Sequence, residues 1–349
     1  MIVNKPLTLI GQNATIDATG LENGIQDATG LENGIQVVAP GVTVTGFTLE
    51  NANGEGLLVG IDSLDDIGLL PPSGPVLTNV LVERVRALND NRGFNGTEVT
   101  NCKYPGDCGG GIHLQVVEHS MVIDSQTTGN ADGILLTDDY GPNAHNLIKG
   151  NLVSDNVSEC GIVLPGHNSS AVNFDPTTFK VTGRNPDMGG VYDNQIIGNT
   201  AIGNGTNVAS PAFGGIGGSG GGIGIFGSGP GTGAYGNLVA GNYLSGNGLA
   251  GVVVHAHHPG GEDLNGNQIV GNMFATNNVM GDPFDGGVSD FETTGIAIYS
   301  VPPATMTVTG NFIHSNQIGI WLTNTITATG LSNNHYANVG VPIVVQPAN

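Results

Sequence analysis

Asp138 and Asp139, adjacent in N-A-D-G-I-L-L-T-D-D, and His167, in L-P-G-H-N, are side chains of the types that move protons. A carboxylate beside an imidazole orients the ring or shares a proton with it. Two carboxyls facing one bond can divide the roles of acid and base between them. A second group is H-A-H-H, in which strand alternation puts His255 and His257 on one side, with His258 next to them. Imidazoles at that spacing can share a transition metal, with Glu262 or Asp263 as further ligands. The acidic segment Gly281-Asp282-Pro283-Phe284-Asp285 offers oxygens suited to Ca2+ or to a turn. Arg84, Arg86 and Arg92 cluster in V-E-R-V-R-A-L-N-D-N-R, with Lys149 beyond the Asp pair, as paired surface charges or as neutralising groups. His145 is a second imidazole that Asp139 can orient.

These residues are far apart along the chain, so a repeating scaffold must bring them together. A two-part unit recurs. Its first part alternates apolar residues and ends in G-N, as in Leu147-Ile148-Lys149-Gly150-Asn151, Gln195-Ile196-Ile197-Gly198-Asn199 and Leu238-Val239-Ala240-Gly241-Asn242. Its second part is G-[IV]-x-[LIV], as in Gly111-Ile112-His113-Leu114, Gly133-Ile134-Leu135-Leu136, Gly161-Ile162-Val163-Leu164, Gly251-Val252-Val253-Val254 and Gly319-Ile320-Trp321-Leu322. A period of two marks strands, and G-N marks the turns between them. The unit returns after about 22 to 30 residues, the length of one three-strand coil of a solenoid, giving about ten coils in a single domain over 1–349. Asn at the turn can hydrogen-bond along a stack of its equivalents, and it tolerates left-handed backbone angles.

Coils stacked about 4.8 Å apart turn this register into a map of the surface. The Ile and Leu of G-I-x-L point inward, so the third and fifth residues point out. The fifth-position column reads Gln115, Thr137, Pro165, Phe226, His255, Tyr299, Thr323, and the third adds His113 and Trp321. Asp138 and Asp139, His167, Ser228, and His257 with His258 lie just beyond it. Asp139 is therefore expected one coil from His167. Gly227-Ser228-Gly229-Pro230-Gly231 would floor a depression flanked by His167 and His257 at about 10 Å, two coil rises. That is room for a sugar ring, and His113, Phe226, Ser228, His257, Tyr299 and Trp321 are the side chains expected to contact it. The aromatics have a plainer alternative, cover by the insertions at 168–190, 206–221 and 278–294.

Composition supports a thin, repeated core. There are 59 glycines, 11% charged and 5% aromatic residues, yet 38% are hydrophobic, too many for a disordered Gly-rich chain. Eight basic against 29 acidic residues, a net charge of −21, argue against nucleic acid or an anionic membrane as partner. No apolar run is long enough to span a membrane. Cys102 and Cys108 in C-K-Y-P-G-D-C suit a local disulfide, which implies an oxidising compartment, secreted or periplasmic, while Cys160 reads as a buried small residue. Met1 leads directly into the strand pattern, with no signal peptide ahead of it. D-A-T-G-L-E-N-G-I-Q occurs twice, at 17–26 and 27–36; ten residues are less than half a coil, so the copy is expected to bulge out or shift the first coil's register.

The paired motifs resemble the right-handed parallel β-helix repeat family, which includes polysaccharide lyases, polygalacturonase-like hydrolases, alginate epimerases and the periplasmic accessory proteins of nitrous-oxide reductase. The resemblance implies an all-β, single-stranded right-handed solenoid with loop insertions. Asn130 to Asp139 resembles the first acidic motif of polygalacturonase-like hydrolases, N-x-D followed by paired Asp, which implies Asp132, Asp138 and Asp139 as acid and base or nucleophile; the G-H-G and R-I-K motifs are missing, and Gly166-His167 is a fragment of the former. The expectation is an exported, monomeric enzyme that cleaves a polysaccharide by hydrolysis or elimination, using Asp138 or Asp139 with His167. The alternative is a non-catalytic β-helix that binds polysaccharide or a metal, with His255, His257 and His258 as ligands. No cofactor is required by the sequence; Ca2+ or a transition metal is the group these side chains could hold.

Overall fold

A computed structural model describes residues 1–18, 33–52, 54–61, 74–90, 110–157, 159–206, 220–256, 258–281 and 292–348. Cys102, Cys108, Arg92, His257, residues 282–285 and most of the duplicated decapeptide lie outside them. The chain is a right-handed parallel β-helix. The G-I-x-L strands stack in parallel with every motif in register, so Ile112, Ile134, Ile162, Ile223, Val252 and Ile296 form one inward column. All six are fully buried. Within the second decapeptide copy, Gly34-Ile35-Gln36 enters the same column, Ile35 pairing with Leu57.

A coil contains more extended pieces than the expected three. Asp132–Thr137 is followed by Asn143–Ala144, Leu147–Lys149 and Leu152–Ser154 before Ile162–Gly166 opens the next coil. Corners at Asn146, Asn151 and Asn156, five residues apart, cut the wall into short strands that each send one residue inward, Ile148 and Val153. The left-handed residue at a corner is the one before the Asn: His145, Gly150 and Asp155 have φ of 58°, 69° and 54°. The Asn itself is buried and reaches along the solenoid axis.

Three amide ladders result. Asn146, Asn194, Asn237 and Asn267 form one, each backbone N–H donating to the next Oδ1. Asn151, Asn199, Asn242, Asn272, Asn311 and Asn334 form the second. Asn130, Asn156, Asn204, Asn247, Asn277 and Asn316 form the third. At Asn199 the side-chain N–H donates to Ile148 O (2.9 Å) and Asn242 Oδ1 (3.0 Å), while Oδ1 accepts from the backbone and side-chain N–H of Asn151 (3.0 and 2.9 Å). Corner carbonyls and N–H groups that would otherwise be buried unpaired are thereby satisfied.

Asp90 occupies a ladder position that carries Asn elsewhere. It accepts the Ala52 N–H at 2.8 Å and donates its own N–H to Asn130 Oδ1 at 2.9 Å, but its Oδ2 is buried against Gly56 without a donor. Burial pushes its carboxyl up to about 8, against the pull of the Ala52 N–H. Glu262 lies under Gly227, and burial likewise raises it to about 8, opposed by the backbone N–H groups of His258 and Gly229. For both acids the folded value exceeds the unfolded one, so stability is fully present near pH 4 and declines as pH rises towards 8. Thermal unfolding between pH 5 and pH 8 should show a falling Tm. Asp90→Asn should flatten that slope and add about 1–2 kcal/mol at neutral pH, because the new amide can donate along the ladder. A slope that Asp90→Asn leaves unchanged would locate the dependence elsewhere.

Candidate functional site

The strand Asp132–Thr137 ends in Asp138 and Asp139, and the next coil's strand, Ile162–Gly166, ends in His167. The shared register brings these strand ends together: His167 Nδ1 lies 3.0 Å from Asp139 Oδ1. The other oxygen of Asp139 accepts from Gln115 Nε2 (2.9 Å) and from the Thr137 hydroxyl (2.7 Å). Burial works against a charge at Asp139, but the contacts with His167, Gln115 and Thr137 hold its carboxyl well below the usual range. The line continues away from His167. Thr137 Oγ1 lies 2.9 Å from His113 Nε2, and His113 Nδ1 lies 3.0 Å from Glu55 Oε1.

Asp138 has a different task from the expected one. Its Oδ1 accepts the backbone N–H groups of His167 (2.6 Å) and Asn168 (3.2 Å), and its Oδ2 that of Gly190. The carboxylate thus clasps both ends of the 168–190 insertion, whose strands Val172–Phe174 and Val181–Arg184 form an antiparallel hairpin. Burial raises Asp138 to about 6, opposed by the His167 N–H. Asp132 is also not part of an acid pair, because it stands at the far end of its strand, about 20 Å from Asp138 at the rise of an extended chain.

The substrate-contact residues divide. Phe226 and Ser228 are half-buried beyond His167, and the Phe226 ring packs edge-on against His255 with centroids 4.1 Å apart. Tyr299 and Trp321 point away from the coil interior as expected, but they are 7% and 1% exposed and stack on each other in a second apolar cluster with Val253 and Ala297. They pack the face instead of presenting a platform. His113 belongs to the line through Thr137. His145 stacks on His119 (5.0 Å) and meets the edge of Tyr192, so His167 alone partners Asp139 among the described imidazoles.

The basic groups lie elsewhere as well. Arg84 pairs with Glu83 at 2.8 Å, Arg86 sits on the strand between the corners Val85 and Asp90, and Lys149 on that between Asn146 and Asn151. Among the described residues no three His, Cys, Asp or Glu side chains converge as metal ligands. Of the proposed ligands, His255 packs on Phe226, His258 is exposed, and Asp263 is held by Arg184 at 2.7 Å. Cys160 is buried, with the Gly221 N–H directed at its sulfur.

Sequence inspection passed over Glu55. Its signal was available: Gly56-Leu57-Leu58-Val59 is another G-x-x-[LIV] unit with Leu at its second position, and Glu55 stands directly before it.

No family model matches the sequence, and no curated protein does. Solved structures do. PfbA, a surface adhesin of Streptococcus pneumoniae, aligns with a TM-score of 0.55 at 13% identity over 97% of this chain and 70% of its own. Pectate lyase Pel9A gives 0.46 at 11% identity over 100% and 79%, and the A-module of an Azotobacter vinelandii mannuronan C-5 epimerase gives 0.34 at 13% over 98% and 90%. The likeness is one of fold.

If Asp138 is the clasp, Asp138→Ala should free the insertion while sparing the coils. Hydrogen exchange at the His167, Asn168 and Gly190 amides should quicken by about 10- to 100-fold, the loss of one to two strong hydrogen bonds, with little change at Ile148 or Ile196. Unchanged exchange at those three amides would remove the assignment.

Proposed function

We propose that this chain is an exported, monomeric enzyme that breaks glycosidic bonds in a polysaccharide, with His167 as the proton-transfer group and Asp139 as its orienting partner. The observation that carries this is the 3.0 Å contact between His167 Nδ1 and an Asp139 held in its charged form. A carboxylate at Nδ1 fixes the tautomer, so Nε2 is the nitrogen that exchanges a proton with substrate. Phe226, Ser228, His255 and His258, on the following coils, would line the sugar-binding side.

With Asp138 occupied by backbone N–H groups, hydrolysis by a carboxyl pair lacks its second member, and elimination started by His167 is favoured. Elimination beside a uronate needs the sugar carboxylate neutralised, and on a chain of net charge −21 Ca2+ arriving with the polymer suits that task.

A second proposal rests on the burial of Tyr299 and Trp321, which leaves the face with few open aromatic surfaces. A β-helix of this kind can serve adhesion at a cell surface without cleaving glycans, and a surface adhesin is among the solved structures of similar fold.

A screen of neutral and acidic polysaccharides for unsaturated ends and reducing ends, with and without Ca2+, separates these. Unsaturated products are expected. His167→Ala and Asp139→Asn should lower kcat by about 10²- to 10⁴-fold in folded protein. Full turnover in both variants would eliminate the assignment, and binding without products would favour the adhesive role.

A further inference from the structure

The hydrogen bonds joining Glu55, His113, Thr137 and Asp139 require one more proton than these groups ordinarily hold. Three contacts link the four side chains: Glu55 Oε1 to His113 Nδ1 (3.0 Å), His113 Nε2 to Thr137 Oγ1 (2.9 Å) and Thr137 Oγ1 to Asp139 Oδ2 (2.7 Å). A neutral imidazole brings one N–H, a threonine hydroxyl one O–H, and two ionised carboxylates none. Three bonds therefore have two protons between them. Gln115 does not supply the third, because its N–H is a separate donor to Asp139. Asp139 is also the terminus least suited to keep it, since His167 already faces its other oxygen.

We propose that this line stores one excess proton, resting on His113, which leaves the Thr137 hydroxyl free to donate to Asp139 and keeps Asp139 the charged partner of His167. An imidazole binds a proton more tightly than a carboxyl, at about 6.5 against about 4, so His113 is the resting place and Glu55 its counter-charge. With both ring N–H groups donating, His113 serves Glu55 through Nδ1 and the Thr137 oxygen through Nε2, and the Thr137 hydroxyl is committed to Asp139 Oδ2. Each of the three contacts then has its own proton.

The described charged and titratable groups around the line are Glu55, Asp138, Asp139 and His167, with Asp90 near enough to Glu55 to feel its charge, and Asp138 is turned towards the backbone N–H groups of His167, Asn168 and Gly190. Glu55, His113 and Thr137 become positioning and proton-storing residues for the proposed site. The use of the proton rests on the enzyme function proposed above; its presence does not.

Ring-nitrogen NMR of the ligand-free protein labelled at histidine reads the store directly. His113 should be doubly protonated at pH 7, with a midpoint above the ordinary value of about 6.5, and Glu55→Gln should return it to neutral at pH 7. Gln115→Ala, outside the line, should leave His113 unchanged. A neutral His113 at pH 7 in the unmodified protein, or a midpoint indifferent to Glu55→Gln, overturns the store. Once a polysaccharide that is turned over is in hand, Thr137→Val should reduce kcat about tenfold with KM unchanged, and an unaltered kcat overturns the link between the line and the site. If no polysaccharide is turned over, the enzyme function fails while the ring-nitrogen signals still decide the stored proton.

Discussion

Stacked asparagine amides are the constraint on which the rest of this solenoid depends. A thin coil has three sharp corners at Asn146, Asn151 and Asn156, and each would bury backbone N–H and C=O groups away from water. An amide has both a donor and an acceptor, so a column of identical Asn residues satisfies each corner from the coils above and below. A carboxylate in the column lacks the donor, and burial there pushes Asp90 up to about 8. The apolar core adds little positional information by comparison. Mostly aliphatic side chains recur at the inward positions and tell one coil little from the next, whereas a misplaced amide leaves a buried polar group unpaired at the cost of about 1–3 kcal/mol.

Register is what turns this scaffold into a site. Asp139 and His167 come from strand ends one coil apart, Gln115 and Thr137 reach Asp139 from the fifth-position column, and His113 in the third-position column reaches Thr137. A slip of one residue would send every one of these side chains to the opposite face. The polar line is tolerable inside a covered face because its members pair with one another, so no charge is buried alone. The adjoining outward positions, Val253, Ala297, Tyr299 and Trp321, are apolar and packed. One face thus changes along the axis from polar and hydrogen-bonded to dry.

Much of this was legible in the residues. The G-I-x-L and G-N spacing gave the coil and its inward column, and counting along it placed Asp139 beside His167. Burial was harder to read. Outward direction from a strand does not mean exposure when outward side chains on neighbouring coils pack on one another, as Tyr299 and Trp321 do beside Val253 and Ala297. Asp138 and Asp139 are adjacent and chemically identical, yet one faces backbone N–H groups and the other an imidazole, a difference set by the 168–190 insertion, whose path no local pattern encodes. The second Asn-bounded strand, Leu152–Ser154, hid behind the five-residue spacing of Asn146, Asn151 and Asn156, which is too short to look like a strand of its own.

The central claim is that amide-locked register sets the meeting of Asp139 and His167, and it can be measured without touching either. Lys149 lies in the coil of Asp139 and Ile197 in that of His167, and the two are direct partners on outer strands, whereas Gln195 is two residues out of step. Cysteines at 149 and 197 should oxidise to a disulfide, since partners on adjacent strands fall within the ~4.4–6.8 Å Cα range that such bonds require, while cysteines at 149 and 195 should not. Efficient linkage of the 149 and 195 pair, with none between 149 and 197, would contradict the register and the site built on it.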